Sequence, residues 1–89
     1  MALFELGQVV TTHAALQICK QHSIDPILLV CRHRAGDWGT LDSTDVAANV
    51  HAVQHDLRIL STYCVGHEKV WVITEADRST TCVLLSHEY

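Results

Sequence analysis

Apolar and polar residues alternate from Phe4 to Thr11, with Phe4, Leu6, Gln8 and Val10 on one side of the run and Glu5, Gly7, Val9 and Thr11 on the other. A period of two suits a short strand or extended arm. Beyond it the period lengthens. Ala15, Leu16, Ile18 and Cys19 form the apolar stripe of a helix that Thr12 caps and that runs to about His22. Asp25-Pro26 is a second start signal, because aspartate accepts from unpaired first-turn amides and proline at the first helical position gives up no hydrogen bond. The helix it opens is expected from Pro26 to about Arg34. It closes on Arg32, His33 and Arg34, cations that suit the negative end of a helix dipole, with Gly36 as a left-handed stop. A third helix, capped by Asp42, Ser43 or Thr44, carries Val46, Val50, Val53 and Leu57 at helical spacing. Its other faces hold Asn49, His51, Gln54, His55 and Asp56.

From Leu57 onward β-branched and aromatic residues dominate, predicting strands over 57–65, 69–75 and 79–85 with turns at Gly66-His67 and around Asp77. Helices followed by a meander imply a two-layer α+β fold: about three N-terminal helices packed on a C-terminal three-stranded antiparallel meander, to which the first segment can add a strand. Two-residue turns set the register. They place Arg58 opposite Glu75, Leu60 opposite Ile73, Thr62 opposite Trp71, Thr80 beside Glu75 and Leu84 beside Trp71. Ile59, Ser61, Tyr63, Val70, Val72, Val83 and Leu85 then share the face the helices are expected to cover. The opposite face mixes Arg58, Glu75, Thr62 and Thr80 with Leu60, Trp71, Ile73 and Leu84. That is too apolar for bare solvent and too polar for a sealed core.

Eighty-nine residues leave room for one domain, residues 1–89, with one core. The longest apolar run, Ile27 to Cys31, falls far short of the roughly 20 residues a membrane helix needs. The opening Met1-Ala2-Leu3-Phe4-Glu5 lacks the basic start and apolar stretch of a secretory signal, so a cytoplasmic location is expected. Cys19, Cys31, Cys64 and Cys82 include no CxxC pair and read as reduced, mostly buried thiols. Six Lys and Arg against ten Asp and Glu give a net charge of -4. No broad cationic field is available for a phosphate backbone, which favours a protein partner over nucleic acid.

Three features bear on chemistry. His51 and His55 stand at i, i+4, the spacing that puts two imidazoles on one side of a helix. With no glutamate between them and no third ligand fixed by the sequence, they read as solvated surface, and no metal or other cofactor is expected. The stretch Arg32-His33-Arg34-Ala35-Gly36-Asp37-Trp38-Gly39 crowds guanidiniums, an imidazole and a carboxylate around a glycine-flanked turn. Arginines there are able to grip a phosphate or carboxylate, and His33 to move a proton near neutral pH. The structural account is that Arg and His complement a helix end, Asp37 caps the turn and Trp38 anchors the loop. The third feature, residues 73–81, gathers Glu75, Asp77, Arg78 and three hydroxyls at a hairpin. Functionally, Arg78, Ser79 and Thr80 position a phosphate or substrate hydroxyl and Glu75 acts as a base. Structurally, Asp77 starts a turn and Arg58 pairs with Glu75 across strands.

Several of these pieces occur together elsewhere: Phe4-Glu5-Leu6-Gly7-Gln8-Val9-Val10, Arg32-His33 with Gly36-Asp37-Trp38-Gly39, and Ser61 with Tyr63. Trp71-Val72-Ile73-Thr74-Glu75-Ala76-Asp77-Arg78-Ser79 and Leu84-Leu85 with Glu88-Tyr89 complete the set. Over nearly its full length the chain resembles a family of small uncharacterised bacterial proteins borne on plasmids and other mobile elements, known as plasmid-related proteins. It departs from the family at His13-Ala14, where Pro-Gly is usual, and at Ser86-His87, where a proline usually precedes the last acids. The label of a type I restriction endonuclease subunit M that some members carry has no support in 89 residues without a methyl-donor motif. The resemblance implies a genomic setting and no established activity.

The leading expectation is a non-enzymatic protein-binding or regulatory module, an accessory or anti-defence factor of a mobile element. Its binding residues are Arg32, Asp37, Trp38, Arg58, Trp71, Glu75, Asp77 and Arg78, with Trp71, Trp38 and Arg58 as hot spots. The alternative is a small metal-independent endoribonuclease, by analogy with barnase-like and RelE-like folds. There Arg58 and Arg78 stabilise phosphate while His33 and Glu75 share acid and base roles on RNA. That reading requires the four side chains to meet in one cleft. A homodimer through strand edges or the mixed face is compatible with either.

Overall fold

The computed structural model describes residues 2–89; Met1, the first residue of the opening pentapeptide, lies outside them. The elements are β1 (Gln8–Thr11), α1 (His13–Gln21), α2 (Pro26–Arg34), α3 (Ser43–His55), β2 (Ile59–Val65), β3 (Glu68–Thr74) and β4 (Thr80–Leu85), followed by a 3-10 turn over Ser86–Glu88. Each helix starts where a side chain meets a bare first-turn amide. Thr12 accepts from Ala15, Asp25 from Ile27 and Asp42 from Asp45, at 3.1, 2.9 and 2.8 Å. Gly36 follows α2 with φ at +91°, and α3 stops at Asp56, itself left-handed.

β2, β3 and β4 form the expected antiparallel meander in the expected register, with Leu60 beside Ile73, Thr62 beside Trp71, and Trp71 beside Leu84. The sheet is wider than that meander. β1 adds a fourth strand, parallel to β4, giving the order β1-β4-β3-β2 and a mixed sheet. Gly7 makes this approach feasible, because it has φ of +63° and a Cβ placed there would lie 2.3 Å from the Ser79 carbonyl oxygen.

One face of the sheet is hidden by α1 and α2. Tyr63, Val65, Val70, Val72, Val83 and Leu85 pack there against Ala15, Cys19, Leu29 and Val30, all buried. Each aliphatic side chain sealed in this way contributes roughly 1.5–3 kcal/mol, which makes this layer the main source of stability.

α3 corrects the sequence reading. Val50 and Leu57, placed on its apolar stripe, are 49% and 47% exposed, while Asn49 and Ala52 are buried. The helix docks on the outer edge of β2, where unpaired main-chain groups need partners, so it turns a polar residue inward. Leu60 N–H donates to Asn49 Oδ1 and Asn49 Nδ2 donates to the Leu60 carbonyl, at 3.2 and 2.7 Å. Ala52, Trp38 and Ile59 form a second apolar cluster beside this contact, joined by Phe4, Leu41, Val46 and Val53. The thiols also differ from expectation. All four are free, but only Cys19 is buried, Cys82 is half-buried, and Cys31 and Cys64 are exposed. Among the described residues no helix is long and apolar enough to cross a membrane.

Candidate functional site

The strand register decides which side chains share the open face. Arg58, Leu60 and Thr62 from the β2 side line up with Glu75, Ile73 and Trp71 from the β3 side, and β4 adds Thr80, Cys82 and Leu84. Arg58 and Glu75 therefore stand on one side, as the sequence predicts, with Arg58 Nε 3.6 Å from Glu75 Oε1. Both side chains are about half exposed, at 51% and 47%. An ion pair in that setting is worth at most about 1 kcal/mol and is screened by salt.

This face is partly covered by the chain's own end. Beyond β4, the turn over Ser86–Glu88 is held by Glu88 Oε1, which accepts from Leu85 N–H at 2.8 Å and from Thr12 Oγ1 at 2.7 Å. These bonds hold the Glu88 carboxyl below its ordinary pKa. Tyr89 then reaches back across the sheet. Its ring lies 5.6 Å from that of Trp71, the Arg58 guanidinium stands over it at 5.8 Å, and Arg58 donates to its hydroxyl. Ile73 and Leu84 are buried although they belong to the open face. Trp71 is half-buried. Beside it opens a cleft of about 400 Å³ lined by Thr40, Leu41, Asp42, Asp45, Thr62, Lys69, Trp71 and Ser86. Asp42 and Asp45 come from the start of α3, and Lys69 from β3.

The cluster at the end of α2 is divided by the sheet and the loop. Arg32 and Asp37 stay at the surface, joined by a 2.7 Å hydrogen-bonded ion pair that holds the Asp37 carboxyl below its ordinary pKa. The Arg32 guanidinium also lies 4.6 Å above the Tyr63 ring, and the Tyr63 hydroxyl donates to the Asp37 carbonyl. Trp38 has gone inside. Its indole is only 8% exposed, stacked on Phe4 and edge-on to His33, so it anchors the loop and offers no surface to a partner.

His33 is wholly buried, on the face of the sheet opposite Arg58 and Glu75. Nδ1 is 2.6 Å from Ser61 Oγ and Nε2 is 2.9 Å from Thr74 Oγ1. Thr74 in turn is 2.7 Å from Thr81 Oγ1, which donates to the Leu6 carbonyl at 2.7 Å. The terminal carbonyl only accepts, so the chain runs one way as far as the ring: Thr81 accepts from Thr74, and Thr74 from His33 Nε2–H. Burial lowers its pKa to about 4, which keeps the imidazole neutral near pH 7 and leaves Nδ1 to accept from Ser61. With both nitrogens occupied, it has none free for acid or base work on an outside substrate.

Arg78 is likewise occupied. Its φ is +61°, its side chain is 12% exposed, and its guanidinium donates to the carbonyls of Leu57, Glu75, Ala76 and Ala52. It closes the end of α3 and stacks toward Phe4 at 5.7 Å. Asp77 is exposed and accepts from Ser79 N–H at 3.0 Å, shaping the hairpin turn. The four groups of the ribonuclease reading do not meet: Arg58 and Glu75 pair on the open face, His33 lies in the core, and Arg78 is tied to main-chain carbonyls. Among the described residues no three His, Cys, Asp or Glu side chains gather as a metal ion requires. His51 and His55 stack with ring centres 4.2 Å apart.

Tyr89, Asp42 and Asp45 join the open face without having been singled out for it. Asp42 was legible only as a cap, and nothing local in the sequence shows that the start of α3 comes beside Trp71. No family model, curated protein or solved structure matches the chain.

Proposed function

We propose that the chain is a non-enzymatic protein-binding module whose docking surface is the open face around Trp71 and the cleft beside it. The observation that carries this reading is the cleft. A half-buried indole and Leu41 form its apolar part, the carboxylates of Asp42 and Asp45 outnumber the one ammonium of Lys69, and hydroxyls of Thr40, Thr62 and Ser86 complete the lining. Tryptophan with a polar rim is the make-up of interface hot spots. The carboxylates of Asp42 and Asp45 beside an indole suit a lysine or arginine side chain of the partner, which gains both charge pairing and a cation–π contact. The net charge of -4 favours such a basic protein surface over nucleic acid. Burial of His33 away from the Arg58–Glu75 pair, and occupation of the Arg78 guanidinium by main-chain carbonyls, support binding over RNA cleavage. In the setting that the resemblance to plasmid-related proteins implies, the module acts as an accessory or anti-defence factor.

The test is capture of partners by tagged protein from host cells, in parallel with Trp71→Ala and Asp45→Lys. Asp45 is chosen because its carboxylate lines the cleft while the Asp42 cap is left intact. Both variants are expected to keep the wild-type far-ultraviolet circular dichroism and to lose partner recovery by about tenfold or more, the cost of removing one hot-spot side chain. Recovery unchanged in both folded variants would remove the Trp71 face from the function.

A further inference from the structure

We infer that the free edge of β1 joins two copies of this chain, extending the two four-stranded sheets into one continuous sheet. The inference rests on main-chain geometry and is independent of the Trp71 cleft. In the parallel pairing of β1 with β4, Gln8 N–H donates to the Ser79 carbonyl and Thr12 N–H to the Val83 carbonyl. By the two-residue period, Val10 also turns its main-chain groups toward β4, and Val9 and Thr11 turn theirs away. Among the described residues, no hydrogen bond reaches the N–H or carbonyl of Val9 or Thr11. Every residue of β1 is exposed, Val9 at 38% and Val10 at 37%. The strand is short, at four residues, but it contains no lysine, proline or inward charge to turn another strand away.

A strand must meet such an edge, and the pattern favours a second β1. Outward-facing groups at positions 9 and 11 are symmetric about Val10. Two copies related by a two-fold axis through Val10 pair antiparallel, each Val9 exchanging both main-chain bonds with the Thr11 of the other copy. Val10 then faces its own counterpart and Gln8 faces Thr12. All of these residues are uncharged, so the contact brings no like charges together even though each chain carries -4. β-branched pairs of this kind are favourable across strands. Residues directly opposite in an antiparallel pair point to the same face, so both helix layers fall on one side. The two open faces become one surface on the other.

The pairing is short, so it is read by sedimentation equilibrium over a concentration series reaching roughly 1 mM. The wild type is expected to shift from the mass of one chain to that of two. Val10→Lys and Val10→Glu, which put like charges on the axis, each sediment as monomers, and an equimolar mixture of the two regains the dimer. Amide exchange supplies the register and a check on folding. In the concentrated wild type Val9 and Thr11 are protected, and in either variant they exchange freely while the amide at position 10, bonded to β4, stays protected. A wild type that is monomeric throughout the series overturns the inference. So does a dimer whose Val9 and Thr11 amides remain in fast exchange, because that dimer uses another surface.

Discussion

The two edges of the sheet present the same problem and receive opposite treatment. Along β2 the outward main-chain groups of Leu60 are taken by Asn49. Those of Thr62 are taken by the loop before α3, Thr40 N–H donating to its carbonyl at 2.8 Å and its own N–H to the Trp38 carbonyl at 3.1 Å. Along β1 the equivalent groups of Val9 and Thr11 have no such partner among the described residues. Over Leu60 and Thr62 one edge is closed by a helix and a glycine loop, and the other is left as a template. The contrast teaches that edge protection in this chain is a local construction and not a property of the sheet, because both edges belong to the same four strands.

Gly39 is where the closed edge is most easily broken. It has φ of +78°, and a Cβ there would lie 1.8 Å from the Thr62 carbonyl oxygen. Gly39→Ala is therefore expected to cost about 3 kcal/mol or more, since both the backbone conformation and the contact oppose it, as a urea titration would read. A cost below about 1 kcal/mol would mean that the loop does not need this close approach.

A second test acts on the tie between the edges. The hydrogen-bond chain through His33 starts at Ser61 on β2, crosses Thr74 and Thr81, and ends at the Leu6 carbonyl just before β1. His33 titrates near pH 4 in the fold, against about 6.5 unfolded, so the unfolded chain takes up a proton that the folded one refuses. Stability is full above about pH 6.5 and falls as the pH drops toward 4, by roughly 3 kcal/mol in total. The lowered carboxyls of Asp37, Asp77 and Glu88 begin to withdraw their own contributions below about pH 5, so the slope above it belongs to His33. Urea midpoints measured between pH 7 and 4.5 should show the slope, and His33→Gln should flatten it. A slope unchanged in that variant would assign the acid sensitivity to another group.

The smallest effect is expected from Asn49→Ala, about 2 kcal/mol, because it strands the N–H and carbonyl of Leu60 at a half-buried position. Amide exchange at Leu60 should accelerate in that variant. No change there would mean that the bulk of α3, and not its hydrogen bonds, closes this edge.

Much of this molecule is legible in its residues. Thr12 and Asp25 mark helix starts by local chemistry alone, the third start is narrowed to Asp42, Ser43 or Thr44, and the turn at Gly66-His67 sets which residues of β2 and β3 face each other. The Arg58–Glu75 pairing follows directly from that count. The α3 stripe held only in part: Val46 and Val53 pack inward, but Val50 and Leu57 do not. Helical period reveals which residues are apolar, but whether a helix meets a sheet face or a sheet edge depends on docking, and an edge rewards an asparagine over a valine. Trp38, His33 and Arg78 were candidates by residue type, and each was absorbed by partners far along the chain: Phe4, Ser61 with Thr74, and the carbonyls that end α3.

What the sequence determined by itself, then, is the set of elements, their caps, the meander register and the amphipathic character of its two faces, because these follow from interactions spanning a few residues or one turn. Tertiary structure alone decided that β1 would lie parallel to β4, that α3 would seal β2, that Tyr89 would cross toward Trp71, and that Asp42 and Asp45 would stand beside that indole. Those outcomes depend on main-chain groups left unpaired once the sheet has formed, and a linear pattern of side chains carries no record of which hydrogen bonds remain to be made.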